Sequence, residues 1–241
     1  MRADVFLVEN GYAKSRSEAQ AAIREGLVRV DGAIVGKPSQ TLSAHAAIEY
    51  AKPHPFVSRG GVKLMAVLDH FGLSSEGRVC LDLGASTGGF TQVLLQRGAS
   101  RVYAMDVGHG QMDAGLARDP RTVVRDGVNA RDLTRADLPE AITAITADLS
   151  FISLKLALPP ALSLASKGAW AVLLVKPQFE VGRGAIGKGG IVRDKAAREA
   201  VPADIAGFIA TQAGWRVLGH MESPIAGGDG NVEYLLAAVK Q

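Results

Sequence analysis

Four charged side chains could do chemistry together: Lys63, Asp148, Lys176 and Glu233. Asp148 closes the apolar stretch in Thr146-Ala147-Asp148-Leu149-Ser150-Phe151, and Lys176 closes another in Leu173-Leu174-Val175-Lys176-Pro177. A lysine that follows an apolar run and precedes a proline is not a casual surface charge, although a strand-end lysine can also snorkel its stem to water. Lys63 lies in Ser58-Arg59-Gly60-Gly61-Val62-Lys63-Leu64, and Glu233 in Gly230-Asn231-Val232-Glu233-Tyr234-Leu235. Singly, Lys63 or Glu233 reads as a solvated charge. As a set, two lysines and two carboxylates can hold a polar substrate and help move its proton.

A second group is a glycine-rich turn between an apolar run and a helical stretch: Val79-Cys80-Leu81-Asp82-Leu83-Gly84-Ala85-Ser86-Thr87-Gly88-Gly89-Phe90. Glycines there let backbone approach a ligand, and the helix start offers unpaired N–H donors. A dinucleotide fingerprint needs G-x-G-x-x-G, and Ser86 stands where its second glycine belongs. The order D-x-G-x-x-x-G-G-F instead resembles the S-adenosylmethionine loop of class I methyltransferases. Asp106 ends the next apolar run, about 20 residues on, where a carboxylate can accept from both hydroxyls of a ribose. The resemblance assigns the donor to Asp82, Gly84, Ala85, Ser86, Thr87, Gly88, Gly89, Phe90, Asp106, Asp126 and Asp148. Asp126 is expected near the adenine, and Asp82 to orient the loop more than to touch the ligand.

These residues need a scaffold. Apolar runs at Val79 to Leu83, Arg101 to Val107, Thr122 to Val124, Ala144 to Ala147 and Ala169 to Lys176 alternate with helical stretches. That pattern predicts an α/β domain with a mainly parallel sheet covered on both faces, and chemistry gathered at the carboxyl ends of its strands. A helix is expected over Gly61 to Phe71. Trp215 to Ser223 and Glu233 to Val239 are expected to form an antiparallel pair at the sheet edge. The first 50 residues are punctuated differently. A helix over Arg2 to Asn10 closes at Gly11, and a second, capped by Ser15 or Ser17, ends at Gly26. Leu27 to Val30 and Ala33 to Val35 flank Asp31-Gly32, a strong hairpin turn. A further strand spans Ala47 to Tyr50. The expected division is a small α+β domain over 1–52, a proline-marked linker over 53–59, and the α/β domain over 60–241.

The ordered set Lys63, Asp148, Lys176 and Glu233 resembles the Lys-Asp-Lys-Glu tetrad of FtsJ/RrmJ-type ribose 2'-O-methyltransferases, over roughly residues 56 to 240. That resemblance implies a class I, Rossmann-like fold and methyl transfer to a ribose hydroxyl, a poor nucleophile that must be aligned and relieved of its proton. It makes Lys176 the candidate for orienting the hydroxyl and accepting its proton. Asp148 would position Lys176 and face the donor, while Lys63 and Glu233 set the field and hold the ribose. Residues 2 to 50 resemble the S-four RNA-binding domain in Arg2 to Val8, Ser15 to Ala19, Ile23 to Gly32 and Lys37 to Ser39. Lys14, Arg16, Arg24, Arg29, Lys37 and Arg59 are the candidate RNA contacts. The fusion resembles the TlyA family, often labelled hemolysins. It implies ribosomal RNA in ribosomal subunits as partner and cytidine ribose as acceptor.

Composition bounds the rest. The net charge is only +3, and residues 1–60 carry eight lysines and arginines against six acids, so RNA binding rests on pattern rather than on charge. The single cysteine, Cys80, sits in an apolar run, which fits a reducing cytoplasm and leaves no cysteine placed for base methylation. His45, His54, His70, His109 and His220 show no metal-ligand spacing, and no metal is expected. The longest clean apolar run, Ala169 to Val175, is far short of the roughly 20 residues of a membrane helix. A membrane-damaging hemolysin is therefore the lesser alternative, beside an RNA-binding protein with an inactive enzyme domain. Val181 to Arg193, with Arg183 and Lys188, reads equally as a lid over RNA or as a mobile connector.

Overall fold

The structure is a computed structural model and describes residues 1–182, 187, 189–227 and 230–241. The chain divides into two compact units, Met1–Pro55 and Phe56–Gln241. Arg183 and Lys188 of the expected lid lie outside the described residues.

In the first unit, α1 (Ala3–Glu9) packs on α2 (Arg16–Arg24) above a small antiparallel sheet. Its strands β1 (Val28–Val30), β2 (Ala33–Ile34) and β3 (Ile48–Tyr50) run in the order β2-β1-β3. Ser15, rather than Ser17, caps α2, its side chain accepting from the Glu18 amide. Asp31 (φ 52°) and Gly32 (φ 79°) both take positive φ, as the two-residue turn between paired Val30 and Ala33 requires. Phe6, Leu7, Ala22, Ile23 and Val28 fill the core. One charge sits inside it. Asp4 is fully buried and accepts from Arg2 Nε at 3.0 Å, Arg16 Nη2 at 2.8 Å and Gln20 Nε2 at 2.8 Å. The Arg2 guanidinium, with help from Arg16 and Gln20, holds that carboxyl well below the usual carboxylate range against the opposing cost of burial.

The second unit is a seven-stranded sheet with helices on both faces. Its strands are β4 (Val79–Leu83), β5 (Arg101–Asp106), β6 (Thr122–Asp126), β7 (Ile142–Ala147), β8 (Ala165–Val175), β9 (Trp215–Glu222) and β10 (Tyr234–Lys240), in the order β6-β5-β4-β7-β8-β10-β9. Successive residues of β4 serve opposite layers. Cys80 joins Leu64, Val67 and Leu68 of α3 (Gly60–Phe71) and Val93 of α4 (Gly89–Gln96). Leu81 joins the layer containing Ile205 and Ile209 of α5 (Lys195–Thr211). Strands apolar on both faces are what a covered parallel sheet demands.

The register aligns the strand ends. Leu83 pairs with Met105 and with Ala147, and Ala147 with Leu173, so Gly84, Asp106 and Asp148 emerge along one edge. The strand order reverses between β4 and β7, which opens a crevice there. β10 runs antiparallel to β8 with Tyr234 opposite Val175, so Glu233 enters beside Lys176. The expected antiparallel pair stands at one edge of the sheet, with β10 as its inner member and β9 as the outer strand; Leu235, Leu236, Ala237 and Ala238 are all buried, whereas β9 alternates with exposed residues. One expectation changes. β8 begins at Ala165 rather than Ala169, across an irregularity in its pairing with β7.

Asp4→Asn tests the internal charge of the first unit. Arg2 and Arg16 are about half-exposed, so solvent screening limits the loss to about 2 kcal/mol. Limited proteolysis in urea should show residues 1–55 opening at lower denaturant while the second unit keeps its wild-type resistance; unchanged resistance of residues 1–55 would contradict this account of Asp4.

Candidate active site

A cavity of about 410 Å³ lies at the carboxyl ends of β4, β5 and β7. Met105, Val107, Val128 and Leu149 supply apolar walls, and Asp106 and Asn129 polar ones. A smaller cavity of about 120 Å³ shares Gly84, Ser86 and Asp148 with it and reaches Ser58 and Phe90. Gly84 has φ 77°, and a Cβ there would collide with the Asp148 carbonyl oxygen, so the turn after β4 and the loop after β7 touch backbone to backbone. A Cβ on Gly89 would strike Ser58 and crowd the Gly61 amide, so the starts of α4 and α3 meet equally closely.

The expected donor residues separate into three roles. Gly84, Ser86, Asp106 and Asp148 line the larger cavity, while Ala85, Thr87, Gly89 and Phe90 line the smaller. Asp106 accepts from the Ser86 amide at 2.9 Å and the Gly108 amide at 2.7 Å, one on each oxygen, which leaves acceptor capacity on both. Asp82 and Gly88 brace. Gly88 packs under Met112 and Leu116. Asp82 is fully buried and accepts from Thr91 Oγ1 at 2.6 Å and Thr146 Oγ1 at 2.8 Å, tying β4 to α4 and β7. Asp126 accepts from the Gly110 amide at 2.7 Å and is not among the residues lining the larger cavity, whose wall after β6 is formed by Val128, Asn129 and Ala130.

The four charges Lys63, Asp148, Lys176 and Glu233 form two ion pairs. Lys63 Nζ pairs with Glu233 Oε2, and both residues are buried, 6% and 3% exposed. Gly227 presses on the Glu233 carboxylate so closely that a Cβ would overlap it. Arg59 Nη1, at the start of α3, donates to the Ala226 carbonyl at 3.4 Å on the same loop. Lys176 Nζ lies 2.6 Å from Asp148 Oδ1 and donates to Ser150 Oγ at 2.9 Å. Asp148 borders both cavities, so this second pair is the one that faces open space.

Sequence reasoning missed Phe151. It lines the larger cavity, is 92% exposed, holds φ 64°, and stacks at 5.2 Å on Phe179. An exposed aromatic held in a strained backbone beside a cavity is a functional signal, but it is visible only in three dimensions. In the first unit, Lys14, Arg24, Arg29 and Lys37 are exposed. Arg16 is committed to Asp4 before any outside partner, and Arg29 Nη1 donates to the Gly32 carbonyl at 3.0 Å.

Burial pushes the Asp82 carboxyl up to about 6, against the pull of the Thr91 and Thr146 hydrogen bonds. An unfolded aspartate titrates near ~3.9, so the folded state binds this proton more tightly. The stability Asp82 contributes is complete below about pH 4 and is lost as the pH rises to about 6, a change on the order of 2 kcal/mol. Urea midpoints of wild type and Asp82→Asn should therefore diverge with pH over that window, the variant lacking this part of the slope. Parallel profiles would show that Asp82 is not the titrating group.

Among the described residues no helix is long and apolar enough to cross a membrane. Residues 56–240 match the FtsJ-like methyltransferase family and residues 1–48 match the S4 domain. The chain is 46% identical over 237 residues to the Mycobacterium tuberculosis protein named 16S/23S rRNA (cytidine-2'-O)-methyltransferase TlyA, covering 98% of this chain and 88% of that one. It is 40% identical over 236 residues to Hemolysin A of Brachyspira hyodysenteriae, covering 98% of each. A solved structure of a Streptococcus thermophilus protein described as a hemolysin superposes with a TM-score of 0.79 at 38% identity, over 100% of this chain and 88% of that one. With an S4 domain in front of a methyltransferase fold and relatives of this closeness along nearly its whole length, the chain belongs to the FtsJ-like methyltransferases, in the S4-fused TlyA family.

Proposed function

We propose that the protein methylates a ribose 2'-hydroxyl of ribosomal RNA, on a cytidine within a ribosomal subunit, with S-adenosylmethionine as donor. The observation that carries the reading is the pair of buried, carboxylate-bound lysines at the sheet's carboxyl end, one of whose carboxylates, Asp148, lines a cavity walled by the Gly84 turn. The relatives' shared chemistry supports the acceptor and the RNA. The cavity fits the donor on its own terms. Its apolar walls suit an adenine, Asp106 keeps acceptor capacity for ribose hydroxyls, and the missing side chain at Gly84 leaves the Asp148 backbone within reach.

When bound, the donor supplies a methyl group already activated by a sulfonium charge. The chain's own residues do the rest. Asp148 turns a carboxylate toward both cavities and holds Lys176. Lys176 spends two of its three N–H donors on Asp148 and Ser150, the remaining N–H holds the acceptor hydroxyl, and the hydroxyl proton passes to the Asp148 carboxylate and from there to solvent. Lys63 and Glu233, neutralising each other, give that side of the site a rigid polar wall for the ribose. Phe151 presents a bare ring on which a base can stack. Lys14, Arg24, Arg29 and Lys37 of the S4 domain present charge to phosphates.

The test is methyl transfer from labelled donor to isolated small and large ribosomal subunits, with the modified ribose mapped. Wild type should label a cytidine 2'-oxygen. Lys176→Ala should bind donor normally and lose about 100-fold or more in turnover, while Phe151→Ala should weaken use of the RNA about tenfold with donor affinity intact. No label in either subunit despite donor binding would sink the assignment, and full turnover by Lys176→Ala would remove that lysine from the mechanism.

A further inference from the structure

Lys176 poses a positioning problem. Its ammonium ends a flexible four-carbon stem, and holding such a stem in one geometry costs rotamer freedom. A single carboxylate partner fixes where the charge sits but not where its other N–H bonds point. The structure supplies a second acceptor from the same loop: Asp148 Oδ1 at 2.6 Å and Ser150 Oγ at 2.9 Å, one residue apart in sequence. The Phe179 ring lies 5.9 Å from Nζ on another side.

The loop that carries these acceptors is itself fastened to the turn that carries the lysine. Phe151 stacks on Phe179. Ser153 Oγ donates to Glu180 Oε2 at 2.5 Å, and the Leu154 amide donates to Glu180 Oε1 at 2.8 Å. The two segments therefore run in register, 148 and 150 against 176, 151 against 179, and 153 and 154 against 180. Ser150 is the member of this series that touches the lysine nitrogen, lines the larger cavity and is exposed, so its hydroxyl also has room to donate into that cavity.

We propose that Ser150 is a positioning residue for methyl transfer: its hydroxyl, with Asp148, clamps Lys176 Nζ so that the remaining N–H position faces the acceptor oxygen. The inference rests on the reading of Lys176 as the lysine at the acceptor hydroxyl. A serine suits the task because it accepts from an ammonium without adding a charge.

Ser150 is exposed, so Ser150→Ala leaves the fold intact. Single-turnover assays on isolated ribosomal subunits should show that variant about tenfold slower, the cost of one hydrogen bond to a charged group. Its KM for the subunit and its Kd for S-adenosylmethionine should match wild type, and Ser150→Thr, which restores the hydroxyl, should recover most of the rate. Wild-type turnover by Ser150→Ala, a rate loss that follows donor affinity, or no recovery with Thr would each overturn the proposal. Lys176→Ala, run alongside, separates the two failures. If it turns over normally, the reading of Lys176 fails; if it is inactive while Ser150→Ala is fully active, only the role of Ser150 fails.

Discussion

The buried pair of Lys63 and Glu233 joins positions 170 residues apart, and much of the α/β unit is arranged around it. Neither charge tolerates burial alone, because removing one partner leaves an uncompensated ion in a dry interior. The pair therefore requires α3, which presents the lysine, and β10, which delivers the carboxylate, to dock on the same sheet. β10 can do so only by running antiparallel to β8, since that direction starts the strand at the edge where its parallel neighbours end. Topology and charge thus constrain each other: the one reversed interior strand is also the one that brings an acid to the lysines.

Around this fixed point the site divides into rigid and open parts. Gly84 and Gly89 bring backbone against backbone where a Cβ would collide, Gly88 lies under the Met112 and Leu116 side chains, and Asp82 ties β4 to α4 and β7 through two threonine hydroxyls. Asp106 and Asp148 keep part of their hydrogen-bonding capacity turned toward the cavity. The positive φ of Ser86 and Phe151 flanks the cavity, at the two loops that wall it. Backbone strain of this kind, roughly 1–3 kcal/mol per residue, persists only where surrounding contacts over-determine it. For Phe151 the contacts are visible, since the ring rests on Phe179 and the following residues are anchored by Glu180.

Much of this was legible in the sequence, for reasons that can be named. Apolar runs closed by Asp148 and Lys176 announce strand ends because a charge inside a buried strand is costly without partners such as those Asp82 finds in Thr91 and Thr146. Asp31-Gly32 announces its turn because both positions need positive φ. What was not legible is equally physical. That Val128, Asn129 and Ala130 line the cavity depends on how the chain turns after β6, the outer strand. That β10 rather than β9 is the inner member of the edge pair follows from the burial of Leu235 through Ala238, which a short apolar run does not announce. Ser150 and Phe151 carry no signal of their own; what distinguishes them is the turn after β8, 26 residues on, against which their loop is laid.

The interior position of β10 has a genetic consequence. Synthesis reaches this strand after every other element of the sheet, so a chain interrupted shortly before residue 234 would carry the Gly84 turn, Asp148 and Lys176 but an unfilled slot between β8 and β9. Such a product would expose two unpaired strand edges and leave Lys63 without its counter-charge. A nonsense or frameshift mutation between β9 and β10 would then amount to a null allele, and the truncated product would be a substrate for aggregation or proteolysis rather than a weakened enzyme.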